Sequence, residues 1–197
     1  MSSIEFQMPK HRNSIIKVIG VGGGGGNAVN NMYRKGIKGV DFIVCNTDMQ
    51  ALEMSPVPNK IRLGAAQTEG LGAGANPELG RLSAVESIEE LREVLKTNTK
   101  MVFVTAGMGG GTGTGAAPVI AALAKEMGIL TVAIVTTPFR FEGKKRMGQA
   151  LAGIKELEQG VDTIITINND NLTEVFGQNV TCLLYTSPSP RDLSTSR

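Results

Sequence analysis

Short apolar segments alternate with amphipathic segments along most of the chain. The apolar runs cover residues 15–21, 39–48, 100–107, 129–138 and 161–170, with a shorter one at 60–63. They are almost continuous in Val, Ile, Leu and Phe, which is typical of strands buried on both faces of a parallel sheet. Helical spacing of apolar residues predicts helices from about Asn27 to Gly36, from Pro77 to Lys96, from about Ala116 to Gly128 and over 142–160.

Strands that alternate with helices in this way predict an α/β fold. We expect a Rossmann-like three-layer sandwich, with a mostly parallel sheet between two layers of helices and right-handed crossover connections. Residues 1–14 are predicted to be a flexible leader and residues 15–181 to form one folded domain. After Thr181 the chain is rich in Ser, Pro and Arg without any period, so we predict that residues 182–197 are a disordered or foreign tail.

Composition narrows the class of protein. With 197 residues, 41% of them apolar, the chain can bury one sizeable core. The net charge is +2, and the densest basic run, Lys144 to Arg146, is too short to indicate nucleic-acid binding. Cys45 and Cys182 have neither metal-ligand nor redox spacing, and no apolar run is long enough to span a membrane. We therefore expect a cytoplasmic protein without direct membrane insertion and without a protein-bound metal.

Two glycine-rich runs each follow a predicted strand and precede a predicted helix. The first is Gly22 to Gly26, and the second is GMGGGTGTG, residues 107–115. In parallel sheets, ligands bind at the carboxyl ends of strands, beside helix N-termini. Unobstructed backbone N–H groups there bind anions, and the helix dipole adds about half a positive charge. Two such runs facing one crevice could hold a chain of phosphates, with Thr112 and Thr114 as hydroxyl donors.

Other interpretations of these glycines remain open. Gly20, Gly22 and Gly25 match the dinucleotide-binding pattern, and Asp48 follows the second strand where such sites place an acidic residue for the ribose. A nicotinamide-dependent oxidoreductase is therefore an alternative, although it leaves the second glycine run without a role. A nucleotide-binding adaptor that does not hydrolyse is another. The phosphate-loop pattern ending in Gly-Lys is absent, because Pro138 stands where its first glycine would be. Charge neutralisation must then come from backbone, helix dipoles and Mg²⁺.

The motif GGGTGTG, residues 109–115, resembles the signature of the tubulin superfamily of GTPases. Five further segments extend the resemblance to the tubulin/FtsZ family: IKVIGVGGGGGNAV (16–29), NTDMQAL (46–52), GLGAGANPELGR (70–81), PFRFEGKKR (138–146) and ITINND (165–170). All occur in order between about Ile15 and Thr181. The resemblance implies that residues 15–181 bind GTP and GDP, with Mg²⁺. It also implies a self-polymerising GTPase that forms the bacterial division ring in the cytoplasm at midcell.

The resemblance assigns roles to particular residues. It implies that the phosphates bind two groups, Gly23, Gly24, Gly25, Gly26 and Asn27, and Gly109, Gly110, Gly111, Thr112 and Gly113. The segment formed by Gly72, Ala73, Gly74, Ala75 and Asn76 would approach the γ-phosphate. Glu142 and Arg146 would contact the ribose and the sugar–base end, and Asn169 would hydrogen-bond guanine. Asn46 and Asp48 are expected to line the same crevice, with a capping or turn role as the alternative for each. Asn168 stands where many relatives carry proline.

The family pattern does not continue beyond Thr181. The resemblance implies a further aspartate for guanine, a long core helix, an acidic loop that completes the catalytic site of the neighbouring subunit, and a second domain; none of these follows here. We therefore expect no catalytic residue in this chain, and binding of GTP without efficient hydrolysis. The implied partners are further copies in head-to-tail filaments, and other division-ring proteins for the intact protein.

Overall fold

The computed structural model describes residues 14–171, which form one six-stranded sheet flanked by helices. The strands are β1 Ile16–Val21, β2 Asp41–Asn46, β3 Asn59–Arg62, β4 Met101–Gly107, β5 Leu130–Thr137 and β6 Thr163–Asn168. Their order is β3-β2-β1-β4-β5-β6, and every neighbouring pair is parallel. The predicted α/β class is confirmed. The predicted tail and all of the predicted leader except Ser14 lie outside the described residues.

Helices cover both faces of the sheet. They are α1 Gly22–Arg34, α2 Met49–Glu53, α3 Ala65–Thr68, α4 Pro77–Glu86, α5 Ile88–Lys96, α6 Thr112–Glu126 and α7 Lys144–Gln159. One apolar cluster packs strand residues such as Val18 against Val29 of α1 and Leu52 of α2. The larger cluster packs Ile19 and its neighbours against α4, α5, α6 and α7. Because consecutive strand residues point to opposite faces, both faces must be apolar, and this explains the continuous apolar runs.

Two helices begin earlier than the sequence predicts. We expected α1 to start near Asn27 and α6 near Ala116, but they start at Gly22 and Thr112. The first glycine run therefore forms the first turn of α1, whereas only the second half of the other run, from Thr112, is helical. Glycine has a low helix propensity, but here tertiary packing overrides it. The backbone of α1 packs so closely on β4 that a Cβ at Gly25 would lie 2.1 Å from the carbonyl oxygen of Thr105. Only glycine allows such a close approach of two backbones.

The predicted helix over residues 77–96 is interrupted. It ends at Glu86, and α5 begins at Ile88. The Ser87 hydroxyl between them accepts from the Gly64 N–H at 3.1 Å and donates to the Arg62 carbonyl at 3.3 Å. This bridge ties the break to the end of β3. The helices α2 and α3 were not predicted, because segments of four or five residues show too little apolar periodicity to indicate a helix.

The edge of the sheet at β6 is partly open. Ile165 and Ile167 are 49% and 40% exposed, although both lie within a strand. Within residues 14–171, no helix has both the length and the apolar character needed to cross a membrane.

Candidate functional site

The two glycine-rich helices begin side by side at the carboxyl edge of the sheet. They follow β1 and β4, which are paired neighbours. A Cβ at Gly22 would lie 2.8 Å from the backbone nitrogen of Gly113, and one at Gly24 would lie 3.1 Å from Cα of Gly107. The N-termini of α1 and α6 are therefore in contact through bare backbone. The sequence predicted this meeting of two glycine runs in one crevice.

Among residues 14–171, no side chain caps either of these N-termini. The N-cap positions of α1 and α6 are Val21 and Gly111, and no capping side-chain hydrogen bond is found there within the described part of the chain. By contrast, Asp48 caps α2 and Asn76 caps α4. First-turn N–H groups have no partner within their own helix, and the helix dipole makes this end positive. Two uncapped N-termini in contact form a favourable environment for an anion.

A cavity of about 770 Å³ opens beside the N-terminus of α1. This volume lies within the range of about 300–1,000 Å³ typical of small-molecule and cofactor sites. Its walls come from α1, the end of β2, α2 and the residues after it, the segment before α4, the first residue of α6, and α7. The lining residues include Gly22, Gly23, Gly24, Gly26, Asn27, Asn30, Arg34, Cys45, Asn46, Thr47, Asp48, Ser55, Leu71, Gly72, Ala73, Gly74, Ala75, Thr112 and Arg146.

The cavity gathers many, but not all, of the residues singled out from the sequence. Those that line it are Gly23, Gly24, Gly26, Asn27, Gly72, Ala73, Gly74, Ala75, Thr112 and Arg146, together with Asn46 and Asp48. Gly25, Asn76, Gly109, Gly110, Gly111, Gly113, Glu142 and Asn169 do not. Asn76 caps α4, and Asn169 directly follows β6, where it is partly buried.

The glycines fall into two physical groups. A Cβ at Gly23, Gly26, Gly74 or Gly110 would meet no neighbouring atom within 4 Å among those tested in the described structure. A Cβ at Gly111 would lie 2.8 Å from Ala73 Cβ, and a Cβ at Gly113 would lie 2.6 Å from the Gly107 carbonyl oxygen. The second group is needed for packing of backbone against backbone. In the first group, Gly23, Gly26 and Gly74 line the cavity, so their missing side chains leave room for a ligand.

The two threonines of the signature segment have different environments. The Thr114 hydroxyl accepts from the Gly109 N–H at 2.8 Å, and the residue is 2% exposed. Thr114 therefore stabilises the turn before α6, and the expectation that it donates to a ligand is not supported by its position. Thr112 lines the cavity, and its hydroxyl lies 2.6 Å from the hydroxyl of Thr47.

A charged pair stands at the start of α7. The Glu142 carboxylate accepts from Arg146 Nη1 at 2.6 Å and, through its other oxygen, from the Phe139 N–H at 2.9 Å. Glu142 ends a 3-10 turn over Arg140–Glu142, and Gly143, with φ +98°, connects this turn to α7. Arg146 is thus held by a carboxylate that the backbone itself fixes, while it contributes to the wall of the cavity.

A polar stripe on α1, not predicted from the sequence, forms part of the cavity wall. Asn30 and Arg34 line the cavity beyond Gly23 and Asn27. The spacings of four, three and four residues place all of these positions on one face of a helix. The pattern was visible, but it has meaning only if the helix begins at Gly22. Ser55 extends this wall by donating to Asn30 Oδ1 at 2.6 Å.

Cys45 lies in the wall of the cavity but is only 1% exposed. Burial raises the pKa of its thiol well above the ordinary range, and the nearby Glu90 carboxylate raises it further. The thiol therefore stays protonated at neutral pH. Within residues 14–171, no cluster of three or more His, Cys, Asp or Glu residues could hold a metal ion.

Comparison with known proteins identifies relatives of this arrangement. The model of the tubulin/FtsZ family GTPase domain matches residues 15–177. The cell division protein FtsZ of Bartonella bacilliformis is 60% identical over 166 residues, which are 84% of this chain and 28% of that protein. FtsZ of Pseudomonas putida is 58% identical over 172 residues, 87% of this chain and 43% of that protein. The chain therefore spans less than half the length of these relatives.

Solved structures of this family have the same fold. An empty FtsZ dimer from M. jannaschii superposes with a TM-score of 0.84 at 42% identity, covering 89% of this chain and 51% of that one. A GTPγS-bound protofilament of CetZ2 from Haloferax volcanii superposes with a TM-score of 0.76 at 26% identity, covering 87% of this chain and 54% of that one. The strand order alone is shared with dinucleotide-binding folds, so topology does not separate the alternatives. The comparisons give no support to an oxidoreductase, and they establish that this chain belongs to the tubulin/FtsZ family through its GTPase domain.

Proposed function

We propose that this chain is the GTP- and GDP-binding part of a self-assembling cell-division GTPase. The observation that carries the proposal is the contact between the uncapped N-termini of α1 and α6 beside a cavity of about 770 Å³. A triphosphate carries several negative charges, and uncapped N–H groups with two aligned helix dipoles stabilise them without a lysine. Family membership selects guanine nucleotide from the anions that such a site could bind.

The arrangement suggests a division of labour within the site. The phosphates would bind near Gly23, Gly26 and Thr112, where room is available and N–H or hydroxyl donors are present. Residues 72–75 line the same cavity as α1 and would respond to the terminal phosphate. Arg146, held by Glu142, is suited to the sugar–base end because its planar guanidinium can stack on a base or donate in pairs. Asn169 would contact guanine.

The chain's own side chains do not form a metal site within the described residues. We therefore propose that Mg²⁺ enters with the nucleotide and is held mainly by phosphate oxygens, as is usual for this ion. The ion would neutralise phosphate charge. Asn46 and Asp48 bear oxygen atoms in the wall at the end of β2, but Asp48 already caps α2.

Self-association and hydrolysis are proposed for the whole protein. Two solved relatives are a dimer and a protofilament, and we propose that the complete protein forms head-to-tail filaments with nucleotide near the contact. Among the described residues that line the cavity, the one carboxylate is Asp48, which accepts from the Ala51 N–H. The base that activates water is therefore expected to come from another subunit. We propose that the filaments assemble in the cytoplasm at the division site, where other division proteins would join them.

The decisive experiment is direct binding of nucleotides to the purified chain. Fluorescent GTP should bind and be displaced by GTP and GDP, but not by ATP or NAD, and phosphate release should stay slow. Binding of NAD without binding of GTP would remove the assignment and favour the oxidoreductase alternative. Rapid phosphate release by the chain alone would overturn the proposal that another subunit completes the catalytic site.

A further inference from the structure

Thr47 is a buried threonine between the end of β2 and the start of α6. It is 0% exposed, and its hydroxyl lies 2.6 Å from the hydroxyl of Thr112, sixty-five positions away in sequence. Thr112 is 9% exposed and is the first residue of α6. Both residues belong to the wall of the cavity, but Thr47 has no exposed surface, whereas Thr112 keeps a small exposed fraction.

The direction of this hydrogen bond follows from burial. A threonine hydroxyl has one proton to donate and two lone pairs that accept. If Thr112 donated to Thr47, the Thr47 proton would be enclosed without any acceptor among residues 14–171. A buried donor without a hydrogen-bond partner costs about 1–3 kcal/mol of stability. If Thr47 donates to Thr112 instead, its proton is satisfied, and the Thr112 proton is free to point into the cavity.

We propose that Thr47 is a positioning residue that makes the Thr112 hydroxyl a donor toward a phosphate oxygen in the cavity. This inference rests on the proposed nucleotide-binding function. Thr47 has no exposed surface to offer a ligand, so it acts through Thr112: its hydroxyl donates to one lone pair of the Thr112 oxygen. The Thr112 proton is then oriented before the ligand arrives, so little rotational freedom is lost on binding.

The backbone around Thr47 is fixed from its other side. The Thr47 carbonyl accepts from the Thr68 hydroxyl at 3.3 Å, and the carbonyl of Asn46 accepts from the Leu63 N–H at 2.8 Å. These bonds join the end of β2 to the chain that follows β3. Thr47 is therefore held in place without any contribution from a ligand, as a positioning residue must be.

The test is Thr47→Val in the full 197-residue chain, because valine keeps the shape and removes the hydroxyl. The dissociation constant of a fluorescent GTP should rise about two- to tenfold, the effect of one hydrogen bond. Thr47→Ser keeps the hydroxyl and should recover most of that loss. The matched control is Thr131→Val: Thr131 is also 0% exposed, and its hydroxyl donates to the Ile129 carbonyl at 2.8 Å, away from the cavity. Its affinity should be unchanged.

A double-mutant cycle separates positioning from general damage. In a Thr112→Val background, Thr47→Val should cause no further loss of GTP affinity, because the residue through which it acts is gone. Far-UV circular dichroism verifies folding, and Thr47→Ala replaces the valine variant if that does not fold.

Four outcomes would overturn the inference. Wild-type affinity in Thr47→Val, or equal losses in Thr47→Ser and Thr47→Val, overturns it while leaving the proposed function intact. Additive losses in the double variant do the same. Failure of the wild-type chain to bind GTP overturns the proposed function and this inference together.

Discussion

Glu142 holds Arg146 one helical turn further along the chain, with 2.6 Å between the carboxylate oxygen and Nη1. The second carboxylate oxygen accepts from the Phe139 N–H, so the acid is anchored to the backbone before α7 begins. Arg146 is about half exposed and forms part of the cavity wall. The pair therefore fixes the position of the Arg146 guanidinium at the wall of the proposed nucleotide site.

Removing the charge of Glu142 should weaken nucleotide binding through Arg146. We expect Glu142→Gln to raise the dissociation constant for GTP about two- to fivefold, since partly exposed ion pairs contribute up to about 1 kcal/mol. Competition with fluorescent GTP measures it. The matched control is Glu78→Gln, which breaks a similar pair with Arg81 away from the cavity. Equal affinities of the two variants would contradict the role of Glu142.

Alanine at Gly23 and at Gly25 should produce opposite kinds of defect. A Cβ at Gly23 would meet no neighbouring atom within 4 Å in the described structure, so Gly23→Ala should fold with at least wild-type stability, while it obstructs the ligand and lowers GTP affinity. A Cβ at Gly25 would lie 2.1 Å from the Thr105 oxygen, so Gly25→Ala should destabilise the fold itself. Urea unfolding and GTP binding, measured on both variants, separate the two effects. Similar loss of stability in both would refute the distinction.

The side chain of Asn76 should contribute to stability as a helix cap. Its Oδ1 accepts from the Glu78 N–H at 3.1 Å at the start of α4. Asn76→Ala should lower the free energy of unfolding by about 1 kcal/mol, whereas Asn76→Asp, which retains a cap, should lower it much less. Urea titration measures both. Alanine and aspartate variants of equal stability would show that the cap contributes nothing.

Cys45 should make stability fall at high pH. Burial raises the pKa of its thiol above the unfolded value of about 8.5, so below that pH both states keep the proton. Above it, only the unfolded chain releases the proton, and stability declines by about 1.4 kcal/mol per pH unit from this group. The difference in unfolding free energy between wild type and Cys45→Ala should therefore shrink as pH rises from 8 to 10. A constant difference would contradict the assignment.

The sequence predicted the strands better than the boundaries of the helices. Largely apolar runs such as residues 15–21 and 100–107 correspond to β1 and β4 within one residue at either end, because burial on both faces favours apolar side chains at most positions. The helix starts were predicted too late, near Asn27 and Ala116, whereas α1 and α6 begin at Gly22 and Thr112. Glycine is a poor helix former, and only contact of these turns with β4 and α4 makes the helical form favourable.

The chemistry of the site was predictable in kind but not in detail. Two glycine runs at strand ends indicated anion binding, and they do meet, at Gly22 and Gly113. The polar face of α1 that continues to Arg34 was missed, because a wrong helix start hides its register. The pairing of Thr47 with Thr112 joins residues far apart in sequence, and no local pattern reports such a contact.

By itself, the sequence determined the α/β class, the family and the two segments that meet at the site, because these depend on local periodicity and on residue types in order. Only the tertiary structure decided which glycines are required for packing and which leave space for a ligand. It also decided which hydroxyl of a threonine pair is enclosed. Those distinctions depend on which atoms approach from distant parts of the chain, and such distances are fixed only when the layers pack.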